Sequence, residues 1–149
     1  DSVLALAETR GIGGRRLVWA GTRNGGLSVW DGERWRRHDR ASGADLPSDL
    51  VQALLETRDE AGRGPLWVGT REGVARYDGE RWRNLAAEPG WPTSSVLALL
   101  EDRTAEGRWA LWIGTSTGLY RWSDGAITQL KSSESPNTRR LRKTFPSSS

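Results

Sequence analysis

Covalent chemistry and metal binding draw on a few side-chain types, and two of them are nearly missing here. The chain of 149 residues has one histidine, His38, and no cysteine. Disulfides, thiolate nucleophiles and clustered His/Cys metal sites are therefore excluded. His38 stands where the chain elsewhere has Leu85 and Leu130, which makes it a strand-end residue rather than a base. The carboxylates are more ordered. Glu8, Glu56 and Glu101 each precede an arginine by two residues (Arg10, Arg58, Arg103), and Asp31, Asp78 and Asp124 each precede a glycine. Carboxylates that recur at regular intervals point to structural pairing and to turns. Gly11-Ile12-Gly13-Gly14 lacks the lysine and following helix of a phosphate loop. No catalytic residue, no cofactor and no metal is expected.

What remains is binding chemistry. Arg23, Asn24, Arg71, Glu72, Ser116 and Thr117 lie at equivalent points of the chain but differ in type, and Trp91 replaces an apolar residue, Leu46. A guanidinium offers a planar fork of donors and an indole a π face, a pairing suited to anionic or sugar ligands. These seven residues are the candidate ligand-binding set.

The equivalence of those points comes from a repeat. LWVGTREGVARYDGERW (residues 66–82) is echoed by VWAGTRNGGLSVWDGERW (18–35) and LWIGTSTGLYRWSDGAI (111–127). Upstream of each lies VLALAETR (3–10), VQALLETR (51–58) or VLALLEDR (96–103). The spacing is 48 residues from the first unit to the second and 45 from the second to the third. Self-similarity at such a period marks a repeat architecture.

Each unit contains four short runs rich in β-branched and aromatic residues; in the second they are 51–55, 66–70, 74–77 and 81–85. Glycines and Asp-Gly pairs separate them, and Asp-Gly suits a tight hairpin because the turn needs positive φ. Each unit thus reads as a four-stranded antiparallel meander. The first run is apolar on both alternating faces (Val96, Ala98 and Leu100 against Leu97 and Leu99), so it should be buried on both. Sheets stacked radially give that burial, and the expected fold is all-β: a β-propeller segment of three four-stranded antiparallel blades. Aligned aromatics (Trp19, Trp67 and Trp112; Trp30, Tyr77 and Trp122; Trp35, Trp82 and Ile127) are expected to pack between blades.

The three-blade part covers residues 1–130, with blades at about 2–38, 50–85 and 95–130. The first hairpin, Gly11 to Arg16, is expected to be a mobile surface loop. Trp91 should plug against the neighbouring blade or stand exposed for stacking on a sugar. Trp109 has no counterpart and is expected to cap an edge. Residues 131–149 read as a basic, disordered tail without function. That tail holds five basic residues and one acid, more than the whole chain's net +3, so residues 1–130 are slightly acidic. They make no polyanion-binding surface, and no nucleic-acid partner is expected. No apolar run approaches the ~20 residues of a membrane span.

The LWVGT and LWIGT runs, the G-L-Y-R-W-x-D-G pattern (118–125), the preceding S-V-L-A-L-L-E-D (95–102) and the L-P-S-D-L-V connector (46–51) resemble the two-component regulator propeller repeat. The resemblance covers about residues 2–130. It implies an extracytoplasmic, periplasmic sensor region of a bacterial histidine kinase, with an oligosaccharide among its ligands and the kinase and membrane span outside this chain. The expected function is a non-catalytic ligand- or partner-sensing propeller fragment. The alternatives are a fragment of a propeller lyase or hydrolase, and a protein-interaction scaffold. Three blades are fewer than the roughly four to eight that close a ring. The terminal faces should therefore be covered by further blades of a parent propeller or by self-association, most simply as two arcs forming six blades.

Overall fold

The computed structural model describes residues 1–10, 12–58 and 64–130. The basic tail at 131–149 lies outside them.

Among the described residues, twelve strands form three sheets. The first sheet holds β1 (Val3–Thr9), β2 (Leu17–Thr22), β3 (Leu27–Trp30) and β4 (Trp35–His38). The second holds β5 (Val51–Glu56), β6 (Leu66–Thr70), β7 (Gly73–Tyr77) and β8 (Trp82–Asn84). The third holds β9 (Val96–Arg103), β10 (Trp109–Thr115), β11 (Gly118–Ser123) and β12 (Ala126–Leu130). Each is an antiparallel meander in sequence order, as the repeat predicts. The sheets stack face to face as blades one, two and three, and the first strands β1, β5 and β9 run side by side along one edge of the stack.

The repeated Trp-x-Gly-Thr motif has one task per residue. The tryptophan lies on the face toward the next blade, and its indole N–H donates to a threonine of the first strand's end: Trp19 to Thr9 and Trp67 to Thr57, each at 2.9 Å. The glycine leaves room for the next blade. A Cβ on Gly21 would stand 2.6 Å from Val51, and one on Gly69 2.6 Å from Val96. The threonine closes the turn that follows, its hydroxyl donating to a carbonyl: Thr22 to Gly26 (3.0 Å), Thr70 to Gly73 (2.8 Å) and Thr115 to Gly118 (2.8 Å).

Two cores lie in the two junctions. Between blades one and two are Ile12, Trp19, Leu27, Val29, Leu46, Val51, Leu66 and Val68. Between blades two and three are Trp67, Val74, Leu85, Val96, Leu111 and Ile113. The recurring Glu56 spans the first junction, accepting from the Arg10 backbone N–H at 3.1 and 3.3 Å while pairing with Arg58 at 3.0 Å.

Four expectations need correction. The first strand of a blade is buried on both faces only in β5; Leu6 of β1 and Leu97 and Leu100 of β9 are exposed, because among the described residues no further blade covers them. The hairpin after Gly11 is no mere surface loop: Ile12–Gly14 form a 3-10 turn, and Ile12 is buried in the first junction. The Asp-Gly pairs do not make equivalent turns. In blade three, Asp124 (φ 53°) and Gly125 (φ 77°) form a two-residue hairpin between paired Ser123 and Ala126. In blades one and two the pair starts one position earlier relative to the strands, and only the glycine has positive φ. There the aspartate instead accepts two backbone N–H groups, Asp31 from Glu33 and Arg34 and Asp78 from Glu80 and Arg81. Finally, Trp109 is not an edge cap. It packs in the second junction, and its indole N–H donates to Glu101 at 2.7 Å.

Candidate functional site

The candidate residues at the turns share one end of the blades. Each turn starts with a backbone N–H bonded to the carbonyl that precedes a first strand: Arg23 to Ser2, Arg71 to Leu50 and Ser116 to Ser95. Arg23, Asn24, Arg71, Glu72, Ser116 and Thr117 are all exposed. Thr117 meets the connector through the Ser94 hydroxyl at 2.8 Å, and the Asn24 N–H donates to Asp1. No hydrogen bond or ion pair among the described residues joins one of these turns to another. Trp91 turns inward. It stacks on Trp67 (6.4 Å between centroids, planes 10° apart) and lies 5.9 Å from Trp122, remaining half-buried.

A second constellation was not singled out in the sequence. Between the outer strands of blades one and two lies a cleft of about 160 Å³, lined by Ile12, Arg15, Trp19, Asp31, His38 and Tyr77 among others. Its aromatic wall is continuous. His38 lies 5.6 Å from Trp19, 5.4 Å from Tyr77 and 5.5 Å from Trp82, and Tyr77 stacks on Trp82 at 4.5 Å. Its polar rim consists of Arg15, Arg36 and Asp31, with Arg15 3.8 Å from the Asp31 carboxylate.

The electrostatics follow from these neighbours. Burial holds the His38 pKa below the ordinary histidine value, and the Arg36 guanidinium pushes the same way against a weaker pull from Asp39. The imidazole is thus neutral at pH 7 and can both donate and accept. The backbone N–H groups of Arg34 and Glu33 keep Asp31 below the usual carboxylate range, assisted by Arg15 and Arg36. Burial, then the Asp78 charge, raises the Tyr77 phenol. The cleft offers guanidinium donors, a carboxylate acceptor, an uncharged imidazole and aromatic faces. It is smaller than the ~300–1,000 Å³ typical of drug-sized ligands, so it suits one small ring or a compact anion. Among the described residues no group of three or more His, Cys, Asp or Glu is placed to hold a metal.

The signal that could have found this cleft is His38 itself, a titratable residue at a position that is leucine in the other two units. The rest was out of reach, because the lining comes from separate hairpins of two blades.

Neither a protein-family model nor a curated protein matches the chain. Solved structures do. The extracellular domain of a hybrid two-component system from B. thetaiotaomicron superposes with a TM-score of 0.63 at 21% identity, over 89% of this chain and 17% of that one. The fold is that of a β-propeller segment. A fucose lectin from Kordia zhangzhouensis, in complex with methyl-fucoside, superposes with a TM-score of 0.50 at 12% identity, over 85% of this chain and 96% of that one. The propeller segment spans about a sixth of the length of that ectodomain. No helix among the described residues is long and apolar enough to cross a membrane.

Proposed function

We propose that this propeller segment is a non-catalytic ligand-sensing part of an extracytoplasmic, periplasmic bacterial two-component receptor, and that its ligand is a small saccharide or compact anion. The observation that carries the reading is the cleft between blades one and two, where Trp19, Tyr77 and His38 form an aromatic wall beside Arg15, Arg36 and Asp31. Aromatic faces stack on the apolar side of a sugar ring, while guanidinium and carboxylate groups exchange hydrogen bonds with its hydroxyls. The likeness to a sensor ectodomain and to a lectin bound to methyl-fucoside supports the same class of role. The exposed turn residues Arg23, Asn24, Arg71, Glu72, Ser116 and Thr117, with Trp91, form the second location, at the connector end.

Calorimetric titration with a panel of monosaccharides, short oligosaccharides and inorganic oxyanions tests the proposal. A binder should lose about tenfold or more in affinity, about 1.4 kcal/mol, in Arg15→Ala/Arg36→Ala and little in Arg71→Ala/Trp91→Ala. The reverse pattern moves the site to the connector end. No binding across the panel refutes the ligand class.

A further inference from the structure

The two faces of the arc that no blade among the described residues covers are complementary to each other. Every large hydrophobic residue that is exposed among the described residues lies in blade one or blade three, and none in blade two. The two internal junctions explain what these residues match. At each junction a valine of the incoming blade seats on a glycine of the blade before it: Val51 on Gly21, Val96 on Gly69. The third valine, Val3, is 55% exposed, against 0% for Val51 and Val96. The third glycine, Gly114, has an open socket: the atom nearest to a Cβ built there is Ala98 Cβ, at 3.7 Å.

The surrounding residues repeat the pattern. On the forward face of each blade the motif tryptophan is joined by the apolar third-strand residue paired with the motif glycine. Trp19 and Leu27 are buried by blade two, and Trp67 and Val74 by blade three. Their equivalents in blade three are Trp112, only half-buried, and Leu119, which is exposed. On the backward face, Tyr77 packs on Trp19 and Trp82 joins the same core, and Trp122 and Ile127 join the core around Trp67. Their equivalents in blade one are Trp30 and Trp35, 5.2 Å apart, with Trp35 exposed.

We infer that, in the polypeptide of residues 1–149, blade three of one copy docks on blade one of a second, with Val3 seated on Gly114 and Trp30 and Trp35 covering Trp112. This is a head-to-tail contact. Such contacts end only when a ring closes, and closed propellers hold roughly four to eight blades. Copies of residues 1–149, each contributing the three described blades, meet that range only at two copies and six blades, with two identical closing junctions. Exposed apolar faces on this scale are usually covered in solution. The inference is independent of the ligand reading.

Size-exclusion chromatography with light scattering, run on residues 1–149 over a range of concentrations, should give twice the 16.5 kDa of one chain. Gly114→Val, which meets only ordinary contacts within its own chain, should keep its circular dichroism and cooperative melting but weaken association at least tenfold. Val3→Asp should do the same from the other side. Mixing the two variants restores one intact junction, so the mixture should associate more tightly than either alone. A monomer at all concentrations, the outcome expected if only further blades of a longer chain fit these faces, overturns the inference. So do open-ended polymers, a dimer that Gly114→Val leaves intact, and a mixture no tighter than its components.

Discussion

The two junctions have the same backbone plan and opposite interiors. In the first, the connector residue in the core with the motif tryptophan is Leu46, fully buried, and the rings on Trp19 are His38 and Tyr77, with Trp82 behind them. In the second, the connector supplies Trp91 and the hairpin supplies Trp109, so Trp67 sits among three other indoles at 5.8–6.4 Å. The first leaves a cleft with a polar rim and the second fills that space with rings. Two differences between the units, Leu46 against Trp91 in the connector and Gly64 against Trp109 in the first hairpin, thus separate an open junction from a closed one. An interblade space is a default feature of this packing, and side-chain volume decides whether it survives.

The contrast can be broken most forcefully at Trp67. Trp67→Ala removes the ring that all three neighbouring indoles contact and should cost about 3–5 kcal/mol in urea denaturation. A loss as small as that of exposed Trp35→Ala would mean that the second junction is not packed as described. Next in size is the glycine pair. Gly69→Val forces a side chain onto Val96 and should destabilise by about 1–3 kcal/mol, whereas Gly114→Val should leave the melting temperature of the dissociated chain within error. Equal effects would erase the distinction between a filled and an empty socket. Trp91→Leu, which gives the second junction the connector residue of the first, should cost about 1–2 kcal/mol through the lost aromatic contacts. It should also open a small space that a xenon-derivatised crystal would reveal.

The smallest effect is electrostatic and separates the junctions by pH. His38 has a lowered pKa when folded, so the unfolded chain binds more protons just below the ordinary histidine value. Its contribution is present above about pH 6.5 and is lost as pH falls through the window beneath it. His38→Leu, matching Leu85, should flatten the stability profile between neutrality and the acid range. The lowered carboxylates Asp31, Asp39 and Asp78 act lower, their stabilisation lost as pH falls below about 4 toward their folded values. An unchanged slope near pH 6 in His38→Leu would dissociate the histidine from the first junction.

Much of the fold was legible because it is written three times. The period, the four runs per unit, the interblade tryptophans and the recurrence of Gly and Thr after each motif Trp are local regularities, and each fits a local physical requirement: close approach at the glycine, a capped turn at the threonine. The turn chemistry was less legible. A one-residue shift of Asp-Gly changes a two-residue hairpin into an aspartate-capped turn, and only the register reveals which strand residues are already paired. That the candidate turn residues share one end of the blades follows from strand order alone.

The sequence by itself determined the sheets and which residue of each unit points toward a neighbour. Only the tertiary structure decided what those residues meet. Val3, Val51 and Val96 occupy one repeat position, yet one is exposed and two are buried. Burial depends on the neighbouring blade and not on the strand's own residues. The cleft has the same origin. Ile12, Asp31, His38 and Tyr77 come from separate segments of two blades, and stacking the sheets brings them to one wall. Periodicity reports what a chain repeats. A site made by the differences between repeats forms only where two of them face each other.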